Sequence, residues 1–299
     1  MGKYHSILYS FCIFLFVITL YQTLIFGGIV PPSNGIHQWQ RNMIKAERYV
    51  YSSTPSEVVL VGSSIAARIN PKYVGTHVSN LAMAGISSQT GLDIVQQVAK
   101  KPPLVMIEIN DTIQRELDQG FIEHLYHPLF HRLRSYLTIF RQEYQPVSVF
   151  IDLLKSRKNR GRTDEEIDSQ EMITPELREK IIARHIAAQS QPLDEQSRAK
   201  ITEQAGLIQA QIEQIEQEGV KVLLFDLPGE PRVKNTQQQQ QIQTLVKELF
   251  PPERFAWMPA PSQKDWVTTD GIHLVNSDAK EYASFIQQQL AKLNLSNIN

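Results

Sequence analysis

An α/β domain, with a five-stranded parallel sheet between two helical layers, is predicted by three observations. Short apolar runs recur at Val58–Val61 and at 77–81, 104–109, 220–225 and 255–258, and each reads as a strand. Helix-periodic stretches separate most of them, which favours parallel pairing through crossovers. The chain has 299 residues, 42% of them hydrophobic, enough for one sizeable domain with appendages.

Residues 7–30 carry no charge and are mostly Ile, Leu, Phe, Val and Tyr. That stretch exceeds the roughly 20 residues needed to span a bilayer and the 7–15 of a cleaved signal core. No Ala-x-Ala site follows, so residues 1–30 are expected to be an uncleaved transmembrane signal anchor, with a cleaved signal peptide as the alternative. Lys3 lies on one side of the span and Arg41, Lys45 and Arg48 on the other, so charge alone does not favour an exported domain.

A linker and amphipathic helix are expected over 31–56. Pro31-Pro32-Ser33-Asn34-Gly35 breaks the span, and Ile36, Trp39, Met43, Ala46 and Val50 then share one helical face. That helix either lies on lipid headgroups or, the preferred reading, packs on the domain edge.

The α/β domain is expected over 57–299, with a helical insertion at about 113–218 between strands three and four. Helices are expected at 90–99, across much of 114–143, and at 177–188, 194–217, 238–249 and 277–293. Within 194–217, Ile201, Ala205, Ile208, Ile212 and Ile215 repeat at four-three spacing, as a coiled-coil seam or, preferably, as a face covering the sheet. Residues 156–170 are polar and aperiodic and read as a mobile loop or lid. The glutamine run 237–241 reads as a solvated helix face.

Composition excludes several functions. A net charge of -1 and a pI near 6.7 give no basic stripe, so no nucleic-acid partner is expected. Cys12 is the only cysteine, which excludes disulfides within the chain, cysteine-cluster metal sites and a Cys-x-x-Cys redox pair.

Four loops carry candidate chemistry. Ser64, in Gly62-Ser63-Ser64, directly follows the first strand, at the carboxyl edge where open α/β sheets bind ligands. It is either a nucleophile or a helix cap. Gly85 follows the second strand, where a bare N–H can approach a substrate oxygen or merely form a turn. Asn110, after the third strand, can aim a side-chain N–H at the same oxygen or start a turn. Asp270 stands three residues before His273, so its carboxylate can accept from Nδ1–H and leave Nε2 to take a serine proton. Asp270-Gly271 is alternatively a tight turn.

In these blocks, Gly62-Ser63-Ser64, Gly85, Glu108-Ile109-Asn110-Asp111 and Asp270-Gly271-Ile272-His273, the chain resembles the SGNH, or GDSL, hydrolase superfamily, whose sheet is flavodoxin-like. The resemblance covers about 57–112 and 220–293. It implies Ser64 as nucleophile, His273 as base and Asp270 as its orienter. It also implies an oxyanion hole from the N–H groups of Ser64 and Gly85 and the Asn110 side chain. Two residues depart from the pattern: Ser63 replaces the usual Asp, and Glu108 replaces the usual Gly.

An anchor joined to such a domain resembles bacterial envelope proteins that O-acetylate exported polysaccharide with a multispanning membrane partner. A serine esterase or O-acyltransferase of the cell envelope is therefore expected, anchored by one span with its domain outside the cytoplasm. The alternative is an inactive module that binds glycan or scaffolds an envelope complex. No cofactor is expected. His124, His127 and His131 share a helical face, but Pro128 interrupts it and no carboxylate completes a metal-binding spacing. Asp226, Arg232 and Lys234 either line a substrate groove or form a solvated loop.

Overall fold

The computed structural model describes residues 2–158, 173–262 and 264–293. In chain order the elements are α1 (Gly2–Phe26), α2 (Gln38–Val50), β1 (Val58–Val61), β2 (Val78–Asn80), α3 (Ser88–Gln97), β3 (Leu104–Glu108), α4 (Gln119–Leu125), α5 (Pro128–Tyr136), α6 (Pro146–Lys158), α7 (Pro175–Ala188), α8 (Glu195–Gln217), β4 (Lys221–Phe225), α9 (Pro231–Lys234), α10 (Gln237–Leu249) and α11 (Asn276–Lys292). Two compact units result. Met1–Ser52 and Glu123–Arg162 form the first; Ser53–Ile122 and Thr163–Asn299 form the second. Of the segment read as a mobile loop, 159–170 lies outside the described residues.

The second unit is a three-layer α/β fold on a parallel sheet of order β2-β1-β3-β4. Val58 pairs with Val78 on one side and Leu104 on the other, and Leu104 pairs in turn with Lys221. β1 and β3 are buried throughout, as parallel strands covered on both faces must be. Their side chains alternate. Val58, Leu60, Leu104 and Met106 join Tyr282, Ala283 and Ile286 of α11 in one core. Val61 faces α3 instead, where Gly91 permits the approach; a Cβ there would meet Val61 Cβ at 2.9 Å. In α8, Ile201, Ala205, Ile208, Ile212 and Ile215 are all buried within this unit, so the helix is a covering layer.

The sheet has four strands, not the five expected. Residues 256–258 run beside β4 through a single parallel bridge, Leu224 to Trp257. Pro251 and Pro252 precede this segment, and Pro259 and Pro261 follow it. Before the bridge, the N–H groups of Arg254 and Phe255 close a turn on the Pro251 carbonyl, and after it Pro259 and Pro261 fix the backbone on either side of Ala260, so the segment meets β4 over one bridge only. Proline also divides the helix expected over 114–143: Pro128 ends the α4 region and begins α5 at its first position, and single 3-10 turns follow.

In the first unit, α1 contains a stretch, His5–Phe26, long and apolar enough to cross a membrane. α2 is a packed helix that buries Met43 and Ala46 of the expected face, but its buried arc is wider than expected and takes in polar residues. Gln40, Met43, Ile44 and Glu47 lie inside, while Trp39 stays partly exposed. Polar partners explain the buried Gln40 and Glu47. Gln40 Nε2 donates to Ser148 Oγ at 2.7 Å, and Glu47 accepts from the Gln142 N–H at 2.6 Å while pairing with Arg134 Nε at 3.2 Å. Burial pushes the Glu47 carboxyl up to about 7, against the pull of Gln142 and Arg134. Removing one partner of such a buried pair costs about 3–5 kcal/mol. Arg134→Met should therefore lower the urea midpoint of the detergent-solubilised chain, and more strongly above pH 7, where Glu47 is ionised. An unchanged midpoint would show that the pair contributes nothing.

Candidate active site

β1 delivers the chain to a turn at Gly62-Ser63-Ser64, followed by one 3-10 turn, 66–68, rather than an α-helix. No α-helix begins there for Ser64 to cap, because Asn70-Pro71 starts another 3-10 turn almost at once. Gly62 is required by packing: a Cβ there would lie 2.5 Å from Glu108 Oε2. Ser64 Oγ stands 2.9 Å from His273 Nε2, and His273 Nδ1 stands 2.7 Å from Asp270 Oδ2. The other Asp270 oxygen accepts from the N–H groups of Ile272 and His273, at 3.0 and 2.8 Å. Burial raises the Asp270 pKa, but these hydrogen bonds and the His273 ring outweigh it and hold the carboxyl well below the usual range. It is an ionised acceptor, so it favours the tautomer with hydrogen on Nδ1 and leaves Nε2 for the serine proton.

The histidine loop is held from several sides. Thr269 N–H donates to the His273 carbonyl at 2.8 Å, and Gly271 adopts a left-handed φ of 92°. Arg178 of α7 donates to the Thr268 carbonyl at 2.6 Å and to Glu230 at 2.9 Å. Sequence reasoning missed Arg178, which lies far from both loops in the chain and in no recognisable motif.

The second loop sits beside the first, since Met83 N–H donates to the Gly62 carbonyl at 3.0 Å. Gly85 has φ 76°, a conformation that side chains resist. Among the described residues, the N–H groups of Ser64 and Gly85 make no hydrogen bond.

Asn110 is placed differently from a free donor. Its Oδ1 caps the following turn by accepting from Thr112 N–H at 2.9 Å. Its Nδ2 donates to Glu108 Oε1 at 2.9 Å and, at a longer 3.3 Å, to Asp226 Oδ1. Glu108, fully buried, reaches back under the serine turn and accepts from Ser63 N–H at 2.5 Å. Burial raises its pKa, opposed by the donors from Ser63 and Asn110. Asp226 is paired at 2.9 Å with Lys234 Nζ. Burial works against the Lys234 charge, but Asp226, Asp111 and Glu108 together raise its pKa. Asp226 and Lys234 thus form one end of a chain of polar contacts that runs through Asn110 and Glu108 to Ser63, whereas Arg232 pairs outward with Glu179 and Glu230.

Beside Asn110 opens a cavity of about 500 Å³, walled by Ile109, Asp226, Lys234, Ile242, Val246 and Trp257, among others. The three histidines considered for a metal have other partners: His124 edges against Trp39 and contacts Arg134, His127 packs against Phe130, and His131 contacts Tyr51. No group of three or more metal-binding side chains occurs among the described residues.

No protein-family model matches the chain, and no curated protein matches it. Among solved structures, a GDSL-like lipase from Bacteroides thetaiotaomicron is similar at 14% identity and a TM-score of 0.43, covering 85% of this chain and 99% of that one. A candidate acylhydrolase from Bacteroides fragilis is similar at 14% identity and 0.41, over 83% and 96%. A candidate platelet activating factor from Streptococcus pneumonia is similar at 12% and 0.42, over 86% and 92%. The chemical reading of the site rests on its own geometry.

Proposed function

We propose that this chain is a membrane-anchored serine acyl-ester enzyme, acting through a Ser64 acyl-enzyme on polysaccharide of the cell envelope. The observation that carries the reading is the unbroken hydrogen-bond line from Ser64 Oγ through His273 to the ionised Asp270. Ser64 Oγ attacks the ester carbonyl as His273 Nε2 takes its proton. The oxyanion forms against the N–H groups of Ser64 and Gly85. Collapse breaks the ester bond, and His273 returns the proton to the departing alcohol. Water then attacks the acyl-serine in an esterase, or a sugar hydroxyl attacks it in an O-acetyltransferase; His273 again accepts the proton and returns it to Ser64 Oγ as the acyl–Oγ bond breaks. The cavity beside Asn110, with Trp257 and Lys234 in its wall, is the proposed seat of the substrate beyond the reacting bond.

The anchored architecture supports the transferase and a multispanning membrane protein as the acyl donor, with the domain outside the cytoplasm. Supplying an acetyl ester with and without oligosaccharide acceptors, and measuring free acetate against acetylated sugar, tests this. Acetate alone would reduce the proposal to an esterase, and neither product would remove it.

One observation favours the second reading, a non-catalytic module. Both hydrogens of the Asn110 amide are directed at carboxylates, and only the longer contact, to Asp226, is readily exchanged for a substrate oxygen. In the enzyme, Asn110 gives up that contact in the transition state. Loss of an oxyanion donor typically costs about 10²–10³ in rate, so Asn110→Ala should lower kcat by that factor with the fold retained. Unchanged turnover would exclude Asn110 from the oxyanion hole.

A further inference from the structure

α6 is inverted for a helix facing water. Its Ser148, Val149 and Asp152 turn inward: Ser148 Oγ accepts from Gln40, and Asp152 accepts from Ser33 Oγ at 2.7 Å and Asn34 N–H at 2.9 Å. Apart from Lys155 at its flank, its described outward positions are apolar. Val147 and Phe150 are 66% and 62% exposed, and Leu153 and Leu154 are exposed beside them. A helix packed on a protein surface normally presents polar residues outward, and a contiguous apolar face marks a covered one.

The position of α6 in its unit indicates what covers it. Residues 21–34, where the chain leaves the span, are bonded to the segment that leads into α6. Tyr21 donates to the Tyr144 carbonyl at 3.0 Å, Gln22 donates to Thr138 and accepts from Ile139 N–H, and Ser33 N–H donates to the Glu143 carbonyl. Along α1, residues 5–20 are almost wholly exposed, and burial begins at 21–22. At 1.5 Å per residue, the apolar span His5–Phe26 rises about 33 Å, close to the ~30 Å hydrocarbon thickness. The end of that span, residues 21–26, therefore lies at the bilayer boundary, and there 138–144 is bonded to α1. Phe26 and Ile29 continue the exposed apolar surface at that level, at 76% and 70%.

We propose that the outward face of α6, formed by Val147, Phe150, Leu153 and Leu154, lies in the lipid bilayer interface beside the anchor. The first unit is thus a membrane seat with two points of contact, a span and a shallow helix that restrains the unit from pivoting about it. This rests on α1 spanning the bilayer.

Site-directed spin labelling tests it on the full chain in vesicles of phosphatidylcholine and phosphatidylglycerol. On a Cys12→Ser background, which removes the only cysteine, Phe150→Cys, Leu154→Cys and, on the exposed surface of α8, Glu203→Cys each carry a nitroxide. In the unsubstituted chain, Cys12 itself carries the label and reports the anchor. The expected result is that oxygen relaxes the labels at 150 and 154 more than a water-soluble nickel chelate does, with the order reversed at 203 and oxygen strongly preferred at 12. Labels at 150 and 154 that behave like 203, while 12 stays in lipid, overturn the membrane seat and leave the anchor intact. Labels shielded from both reagents overturn it in favour of a protein cover. A nickel-accessible Cys12 overturns the anchor and the seat with it.

Discussion

Ser64→Ala is expected to abolish covalent labelling by a fluorophosphonate probe and to lower turnover of an acetyl ester by about 10⁴ or more, without altering the unfolding midpoint. The probe reacts with a serine only where a base takes the proton and donors hold the developing oxyanion, so it reads the whole arrangement. Ser64 Oγ hydrogen-bonds only to His273 among the described residues, and alanine removes an oxygen without opening a large cavity. His273→Ala should likewise prevent labelling, since Oγ then has no base within reach. Asp270→Asn should leave the loop closed but favour the wrong tautomer, because an amide at that position can donate to Nδ1; labelling slows rather than vanishes. Labelling that persists in Ser64→Ala would place the nucleophile elsewhere. No labelling of the folded unsubstituted chain would favour the non-catalytic module.

The sequence showed where the sheet would form because its strands are buried on both faces and so stand out as apolar runs; β1 begins and ends where the run does. It overcalled the run at 255–258, where apolarity is present but the chain enters from a turn closed on Pro251 and meets β4 at a single bridge. It found only part of the buried face of α2, Met43 and Ala46. Periodicity assumes that apolar residues face inward, whereas Gln40 and Glu47 are buried because residues about a hundred positions away satisfy them. The site was legible in part for the same reason. Asp270 and His273 are close in sequence, so their contact is encoded locally. Glu108 and Asn110 are also neighbours, but their roles depend on Ser63 and Asp226, which only the fold brings near.

Glu108 carries the second large expectation. Its carboxylate accepts from Ser63 N–H on one oxygen and from Asn110 Nδ2 on the other, in a position from which solvent is excluded. Each buried donor left without a partner costs about 1–3 kcal/mol. Glu108→Gln keeps the shape but sets an amide N–H against one of those donors, so it should lose roughly that amount once. Glu108→Gly removes both acceptors and the packing under Gly62, and should lose more. In the enzyme, the loss should fall on kcat rather than KM, because the carboxylate orients the serine turn and the Asn110 amide without reaching substrate. The sign with pH follows from its raised pKa. Between the unfolded value and that raised value the folded state holds the extra proton, so stability falls as pH rises through the window, and Glu108→Gln should flatten that slope.

The sharpest form of the test moves the charge. In the pattern this chain resembles, the carboxylate stands beside the nucleophile and glycine stands at the third block; here serine is at 63 and the carboxylate is at 108. If one buried carboxylate serves both arrangements, Ser63→Asp alone crowds two of them and destabilises, and Glu108→Gly alone leaves none. The double variant, Ser63→Asp with Glu108→Gly, should then be more stable and more active than Glu108→Gly. Purely additive losses across that cycle would show that Glu108 is held for packing alone.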